Sequence, residues 1–198
     1  MAIETLRPNA AGDQTEIDTQ YPASGSHWEK VDEAVADDAS TYVRQTAIGV
    51  NKVDLYNLPA SVGAGKINKI TVHGRWITTA SGRFRLAIKS GTTTEIKPDV
   101  RWTNDLVWTD HEFEWALNPD DGEAWEWADI DALQIGMLLY ASSAQTSDCT
   151  QVYVEVDYTK IPTLSRIVTM GGKSRANIAK VSGKSMADIV SIGGVPNV

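Results

Sequence analysis

The sequence predicts an all-β protein with an antiparallel jelly-roll or β-sandwich body and a short repeated tail at its C-terminal end. Two observations predict the body: its segments alternate apolar and polar residues, and turn signals separate them about every 8–12 residues. A third observation predicts the tail, because the end of the chain repeats with a period of eleven residues. Long amphipathic helical patterns do not occur.

The strand patterns lie in the body, residues 41–160. The clearest is SGRFRLAIKSG, in which Phe84, Leu86 and Ile88 fall on one face of an extended chain and two arginines on the other. We expect about eight or nine strands in all. The comparable patterns are TYVRQTAIGV, KVDLYNL, KINKITVHGRWITTA, VWTDHEFEWAL, LQIGMLLYA and TQVYVEVDYTK.

Two segments of the chain differ from this pattern. Residues 1–40 are rich in Gly, Pro, Asp and Ser, which predicts an extended lead-in with one or two edge strands. Within it, Trp28 and Val31 are the side chains expected to anchor the segment to the body. The best helical candidate is the short stretch from Glu126 to Leu133, which follows the turn NPDDG.

Composition excludes several classes of protein. The net charge of −8 argues against nucleic-acid binding by the whole molecule. No apolar run reaches the roughly 20 residues that span a bilayer, and the first residues lack the pattern of a secretion signal, so we expect a soluble product made in the cytosol with no membrane insertion. The single cysteine, Cys149, allows no intrachain disulfide and is expected to be a small buried residue.

The tail, residues 161–198, contains three copies of an eleven-residue unit. The copies begin at Ser165, Ala176 and Ala187, and the same positions are apolar or glycine in each. The first apolar column is Ile167, Ile178 and Ile189; the second is Met170, Val181 and Ile192; the glycine column is Gly172, Gly183 and Gly194. We expect the chain to reverse direction at the glycine of each unit.

Gly-Lys-Ser occurs twice in this tail and matches the end of a phosphate-binding loop. Such a loop needs a glycine five residues before its Gly-Lys pair. Ile167 and Ile178 occupy those positions, and the third copy replaces Lys-Ser by Val195-Pro196. The sequence therefore predicts no nucleotide cofactor.

The tail is too short to fold alone, since about 40 residues is the usual minimum for an isolated chain. It must dock on its own body or on the tails of neighbouring copies, and we favour the second, with the two apolar columns as the assembly interface. The tail carries five basic residues and one acid, a charge of +4, so residues 1–160 carry −12 of the total of −8. A basic tail could thus lie on the acidic body of another copy. We predict a homo-oligomer, as a trimer.

The unit ANIAKVSG resembles the short repeats that end many virion proteins of tailed phages. The stretches WEKVDEAVADDASTYV, NPDDGEAWEWADIDALQIG and CTQVYVEVDY resemble the β-sandwich portion of the same proteins. The resemblance implies a non-enzymatic structural component of the virion, in a head decoration, fibre or tail appendage, with other virion proteins as partners. It supplies no catalytic residues.

The residues that could carry chemistry do not form a catalytic or metal-binding pattern. His27, His73 and His111 are scattered, and the neighbours of His111, Asp110 and Glu112, point to the opposite face of a strand. The acidic residues Asp32, Asp37 and Asp38 could line a calcium site, although a solvated loop explains them better. We therefore predict no catalytic residue and no metal, and an enzyme is the least favoured reading.

Tryptophan is the unusual feature of the composition. Five tryptophans cluster between Trp102 and Trp127, and Trp125 and Trp127 would share a face in an extended chain. Flat rings of this kind could stack on a glycan, although filling the core or sealing contacts between copies is the favoured reading. Our leading hypothesis is thus a self-assembling virion protein. The alternative is a carbohydrate-binding adhesion module with a surface glycan of the host as its partner.

Overall fold

The computed structural model describes residues 1–78, 82–97, 106–142 and 146–160, and the backbone alone of residues 101–103 and of six two-residue strands between 169 and 196. Within the described residues 1–160, twelve strands, three from the lead-in and nine from the body, form two antiparallel sheets of six strands each. The sheets enclose one hydrophobic core, which confirms the predicted β-sandwich.

The first sheet, sheet A, has the strand order β10-β6-β12-β4-β3, and β1 pairs with the remaining length of β12. Its strands are β1 (Ala2–Leu6), β3 (Thr19–Tyr21), β4 (Tyr42–Gln45), β6 (Lys66–Thr78), β10 (Thr109–Trp115) and β12 (Ser147–Thr159).

The second sheet, sheet B, has the order β2-β5-β11-β7-β8, and β9 also pairs with β7. Its strands are β2 (Ala10–Thr15), β5 (Asn51–Asn57), β7 (Gly82–Ser90), β8 (Thr93–Ile96), β9 (Arg101–Thr103) and β11 (Gln134–Tyr140). The sequence did not predict β8 and β9, which are short and lack a long alternating pattern.

The alternation read from the sequence matches the burial of the strands. Phe84, Leu86 and Ile88 are at most 1% exposed and face the core, as predicted. Trp76 stacks on Phe84 across the two sheets at a centroid distance of 5.2 Å. The predicted helix is also present as α1 (Trp127–Ala132), flanked by Glu126 and Leu133. Cys149 is fully buried, and burial raises the pKa of its thiol, so the residue is an inert part of the core.

The lead-in is part of the sandwich. It contributes three edge strands, β1, β2 and β3, where the sequence predicted one or two, and a 3-10 helix at His27–Lys30. Val31 is fully buried, and Trp28 packs against the core, so both act as the anchors that the sequence predicted.

One buried carboxylate ties the lead-in to sheet B. Asp54 on β5 accepts hydrogen bonds from the backbone amides of Glu16 and Ile17 at 2.7 and 2.9 Å. Its other oxygen lies 2.6 Å from Nδ1 of His27 and accepts a hydrogen bond from the Tyr56 hydroxyl at 3.0 Å. Asp54 is completely buried, and without it the His27 ring and the Ile17 amide would lose these hydrogen bonds, whereas the Glu16 amide would keep the carbonyl oxygen of Val53 at 3.2 Å.

In the tail, the strands pair as three small hairpins. These are β13 (Thr169–Met170) with β14 (Lys173–Ser174), β15 (Lys180–Val181) with β16 (Lys184–Ser185), and β17 (Ser191–Ile192) with β18 (Val195–Pro196). Each hairpin starts eleven residues after the one before it, so the period of the sequence is also the period of the strand pairing. The glycines at which the sequence predicts the reversals, Gly172, Gly183 and Gly194, lie outside the described residues.

Among the helices of the described part of the chain, none is long and apolar enough to cross a membrane.

The Asp54 network yields a stability prediction. Asp54→Ala should lower the free energy of unfolding by about 3–5 kcal/mol, because it removes the acceptor of the partly buried His27 ring, the buried Tyr56 hydroxyl and the amide of Ile17. Chemical denaturation measures this change. Asp121→Ala is the matched control, since Asp121 is exposed and accepts only a local bond from the amide of Glu123. A loss below about 1 kcal/mol in Asp54→Ala would show that the network does not anchor the lead-in.

Candidate functional site

A shallow cleft of about 270 Å³ lies on sheet A, over the strands β10, β6 and β12. It is lined by side chains that carry aromatic rings, carboxylates and an amide, with Gly74 in its floor. The other lining residues are His73, Asp110, His111, Glu112, Gln151 and Tyr153.

Strand alternation explains why polar residues meet here. On β6, Val72 and Trp76 face the core, so His73 and Arg75 between them face outward. On β10 the alternation turns Asp110 outward together with the residues two and four positions further on, which are exposed.

A β-bulge in β12 sets which residues reach the cleft. Cys149 pairs with Trp76, whereas Gln151 pairs with Arg75, so Thr150 is an extra residue in the ladder. Because of this insertion, Cys149 faces the core and Gln151 faces outward although both positions are odd-numbered. The Thr150 hydroxyl lies 2.8 Å from the carbonyl oxygen of Thr41 and 3.1 Å from the carboxylate of Asp37, which fixes the bulge.

The centre of the cleft is a row of side chains that crosses sheet A. Glu112, His73 and Tyr153 stand opposite one another on β10, β6 and β12. The Glu112 carboxylate lies 3.2 Å from Nδ1 of His73. The His73 ring stacks on Tyr153 with a centroid distance of 4.5 Å and an interplanar angle of 9°. The guanidinium of Arg7, just after β1, lies 4.7 Å from the centre of the Tyr153 ring.

Two polar groups of this row, the His73 ring and the Tyr153 hydroxyl, differ in their surroundings. Nε2 of His73 is buried and has no hydrogen-bond partner in the described part of the chain, with the nearest carboxylate oxygen, from Glu155, at 3.5 Å. Burial, and then the charge of Glu155, raises the pKa of Tyr153. The phenol is therefore protonated at neutral pH and can both donate and accept a hydrogen bond.

A second ionic group fixes one side of the cleft. The Arg75 guanidinium donates to both carboxylate oxygens of Asp38 at 2.6 and 3.1 Å, and to Asp110 at 3.0 Å. These hydrogen bonds, above all those that Arg75 donates to Asp38, raise the pKa of Arg75. Gln151 donates to the carbonyl oxygen of Glu33 at 2.6 Å. The loop between Val31 and β4 is thus held against sheet A beside the cleft.

The rim of the cleft carries exposed carboxylates. The side chains of Asp110 and Glu112 are 80% and 70% exposed, while the Arg75 charge is shared between two carboxylates. A ligand here would meet hydrogen-bond donors and acceptors on a rigid sheet, and negative charge at the edge. The arrangement suits an uncharged, hydroxyl-rich molecule better than an anion.

The metal ligands considered from the sequence do not come together. Asp37 accepts hydrogen bonds from Thr41 and Thr150, and Asp38 accepts them from Arg75, so these two carboxylates have protein partners. His111 faces inward, with its ring 6.0 Å from that of Phe84, on the face of β10 opposite to Asp110 and Glu112. Within the described ranges, no group of three or more His, Cys, Asp or Glu side chains could hold a metal ion.

The two tryptophans considered for glycan stacking belong to the fold. Trp125 is 4% exposed and donates to the carbonyl oxygen of Trp115 at 3.0 Å, so its ring has no free face. Trp127 is half-buried, donates to the carbonyl oxygen of Gly65 at 2.8 Å, and meets Tyr158 edge-on at 5.1 Å. The two do not share a face of an extended chain, because Trp127 begins α1. Trp125 lies in the core and Trp127 packs against it, in agreement with the favoured interpretation.

The predicted assembly residues lie largely outside the described part of the chain. The structure does not describe Ile167, Ile178 and Ile189. It places Met170, Val181 and Ile192 in the first strands of the three hairpins by their backbone. The assembly interface therefore stays a prediction.

Sequence reasoning did not assign the centre of the cleft. The sequence patterns show His73 as one of three scattered histidines and Glu112 as a neighbour of His111, and they assign no role to Tyr153. Their meeting depends on the pairing of three strands that are distant in sequence. The proximity of His73 and Tyr153 follows only from the register in which β6 pairs with β12, and the sequence alone does not specify that register.

Neither a family model nor a curated protein matches the sequence. Among solved structures, the chain is similar to the xylan-binding module CBM15, with a TM-score of 0.40 and 12% identity over 79% of this chain and 97% of that one. It is also similar to the C-terminal CBM6 of LamC, a marine laminarinase from Zobellia galactanivorans, with a TM-score of 0.36 and 11% identity over 79% of this chain and 100% of that one.

A third similar structure is a family 16 carbohydrate-binding module, with a TM-score of 0.36 and 8% identity over 58% of this chain and 76% of that one. Similarity this low does not extend to ligands or to binding residues.

The placement of Trp125 yields a prediction. Trp125→Ala should lower the free energy of unfolding by about 3–5 kcal/mol, because it empties a core position and frees a buried carbonyl. Thermal and chemical denaturation measure the loss. Leu117→Ala is the control, since Leu117 is 54% exposed, and it should change stability by less than about 0.5 kcal/mol. Wild-type stability in Trp125→Ala would mean that the ring is not part of the core.

Proposed function

We propose that this protein is a non-enzymatic binding module that holds a neutral carbohydrate in the cleft on sheet A. The observation that carries the proposal is the row formed by Glu112, His73 and Tyr153, with Gln151 beside it. These groups offer donors and acceptors at fixed positions on a rigid sheet.

The chemistry of the row favours a sugar among possible small ligands. A sugar ring displays several hydroxyl groups, each of which donates and accepts, and it needs partners of both kinds. Tyr153 supplies a hydroxyl, Gln151 an amide, and Glu112 an acceptor, while the acidic rim disfavours phosphates and acidic sugars. The cleft of about 270 Å³ is at the small end of ligand sites, so it would hold a short part of a longer chain that continues over the open face.

The same geometry supports binding without catalysis. A glycosidase needs a carboxylic acid that a desolvated site keeps protonated, and a second carboxylate across the scissile bond. Asp110 and Glu112 are mostly exposed and neighbour each other on one strand, with Arg75 and His73 as their respective partners. Neither is in an environment that would make it a general acid.

A second proposal concerns the tail. Three hairpins spaced by eleven residues, with the resemblance to tailed-phage virion proteins, favour a component that assembles in several copies on a virion. The two proposals are compatible, because several copies of a weak glycan site on one particle bind a surface far more tightly than one copy does.

The glycan proposal predicts measurable binding and its loss in cleft variants. Calorimetric titration with neutral hexasaccharides of glucose, xylose or mannose should give binding to at least one of them. Tyr153→Phe and Glu112→Gln should each weaken it about tenfold, since each removes one hydrogen-bonding or charged group from the row.

The matched control is Glu123→Gln, which makes the same chemical change at an exposed glutamate outside the cleft. It should leave the affinity unchanged. Equal affinities in all variants would place the binding elsewhere, and an absence of binding to every neutral hexasaccharide would overturn the proposal.

The assembly proposal predicts a change in mass. The full chain should sediment as an oligomer, and a chain lacking residues 165–198 should sediment as a folded monomer. A full-length variant with Ile167→Ser, Ile178→Ser and Ile189→Ser keeps the length and the charge of the tail, and it should also dissociate. If all three proteins sediment as the same species, the tail does not drive assembly.

A further inference from the structure

A stack of side chains lies on the same outer face of sheet A, at the edge away from β10. Tyr21 on β3 and Tyr42 on β4 are paired residues, and their rings stack at a centroid distance of 5.4 Å and an interplanar angle of 19°. The Arg44 guanidinium lies 4.5 Å from the centre of the Tyr42 ring. Arg44 in turn donates to both carboxylate oxygens of Asp148 at 2.8 and 2.7 Å.

The inner end of this stack is firmly held. The Asp148 side chain is 6% exposed, and its pairing with Arg44 is bidentate, which fixes the plane of the guanidinium. The hydrogen bonds that Arg44 donates to Asp148 raise the pKa of Arg44. The two opposite charges of this pair cancel, and the stack as a whole carries no net charge.

The outer end of the stack is exposed. Tyr21 is 52% exposed, and it is the only exposed aromatic side chain in the described part of the chain. An exposed tyrosine usually loses rotamer freedom when it binds a ligand. Tyr21 is already ordered by the ring of Tyr42 and by the pairing of β3 with β4. Its side chain would therefore lose less conformational entropy on binding.

The stack and the cleft share one face of the sheet. Val43 faces the core, so Tyr42 and Arg44 on either side of it face outward, as Tyr153 does. In the order β10-β6-β12-β4-β3, the edge strand is two strands from β12, which corresponds to about 10 Å. The loop between Val31 and β4 is held beside the cleft on this side, so a ligand that extends from the cleft to Tyr21 would pass over that loop.

We propose that Tyr21 is a stacking platform for a sugar ring, and that it forms a second subsite for the glycan held in the cleft. The inference rests on the proposed function. A flat, uncharged and pre-ordered ring suits the apolar face of a pyranose, whereas the cleft suits its hydroxyl groups. Long oligosaccharides would use both subsites and short ones only the cleft.

The test compares two variants of Tyr21 by calorimetry with a neutral hexasaccharide and with the disaccharide of the same sugar. Tyr21→Ala should weaken hexasaccharide binding about threefold to tenfold and leave disaccharide binding unchanged. Tyr21→Phe keeps the ring and should bind the hexasaccharide like the wild-type protein, which shows that the ring itself is needed. Leu117→Ala is the control for removal of an exposed apolar side chain elsewhere.

A second measurement separates this inference from the proposed function. With ring-labelled tyrosine, the hexasaccharide should shift the NMR signals of both Tyr21 and Tyr153. A shift at Tyr153 alone, or an unchanged affinity in Tyr21→Ala, overturns the platform and leaves the cleft in place. A shift at Tyr21 alone overturns the cleft as the glycan site, and shifts at neither residue overturn both.

Discussion

The β-bulge at Thr150 is the constraint on which both faces of sheet A depend. Side chains alternate strictly along a strand, so a shift of one residue exchanges the buried set for the exposed set. In β12 the inserted residue lets Cys149 and Val152 face the core while Tyr153 faces the cleft. Two hydrogen bonds to the segment before β4 hold the bulge. The Thr150 hydroxyl donates to the carbonyl oxygen of Thr41, and the Val152 amide donates to the carbonyl oxygen of Val31 at 2.9 Å. The core and the cleft are therefore consequences of one local irregularity.

Sequence patterns predicted the class of fold and much of the core, because alternation is local information. Phe84, Leu86 and Ile88 could be assigned to the core from eleven residues of sequence, and α1 from a turn followed by a short helical pattern. The cleft and the Tyr21 stack could not be predicted, since each joins residues from strands that are far apart along the chain. The two tryptophans illustrate the same limit: their spacing suggested a shared face, but α1 begins at the second of them.

The aromatic residues discussed above lie in two places, the core between the sheets and the outer face of sheet A. The tryptophan rings at positions 76, 115 and 125 are buried between the sheets, where they fill volume and their indole groups meet core neighbours. The rings on the outer face are tyrosines and a histidine, each held by a neighbouring charge: Arg7 beside Tyr153, Glu112 beside His73, and Arg44 beside Tyr42. An outer face built this way is rigid and polar. These properties suit the proposed binding of a neutral, hydroxyl-rich carbohydrate without catalysis. The repeated tail, if it gathers several copies, would multiply a modest affinity.

The central claim is that the outer face of sheet A, rather than the tryptophan-rich interior or a loop, receives the ligand. Amide hydrogen exchange, recorded with and without a saturating neutral hexasaccharide, tests this most directly because it locates binding along the chain. The account predicts slower exchange in the segments around His73, Glu112 and Tyr153, and unchanged exchange in sheet B around Leu55 and Leu138. Protection confined to sheet B, or to the turn that precedes α1, would contradict it.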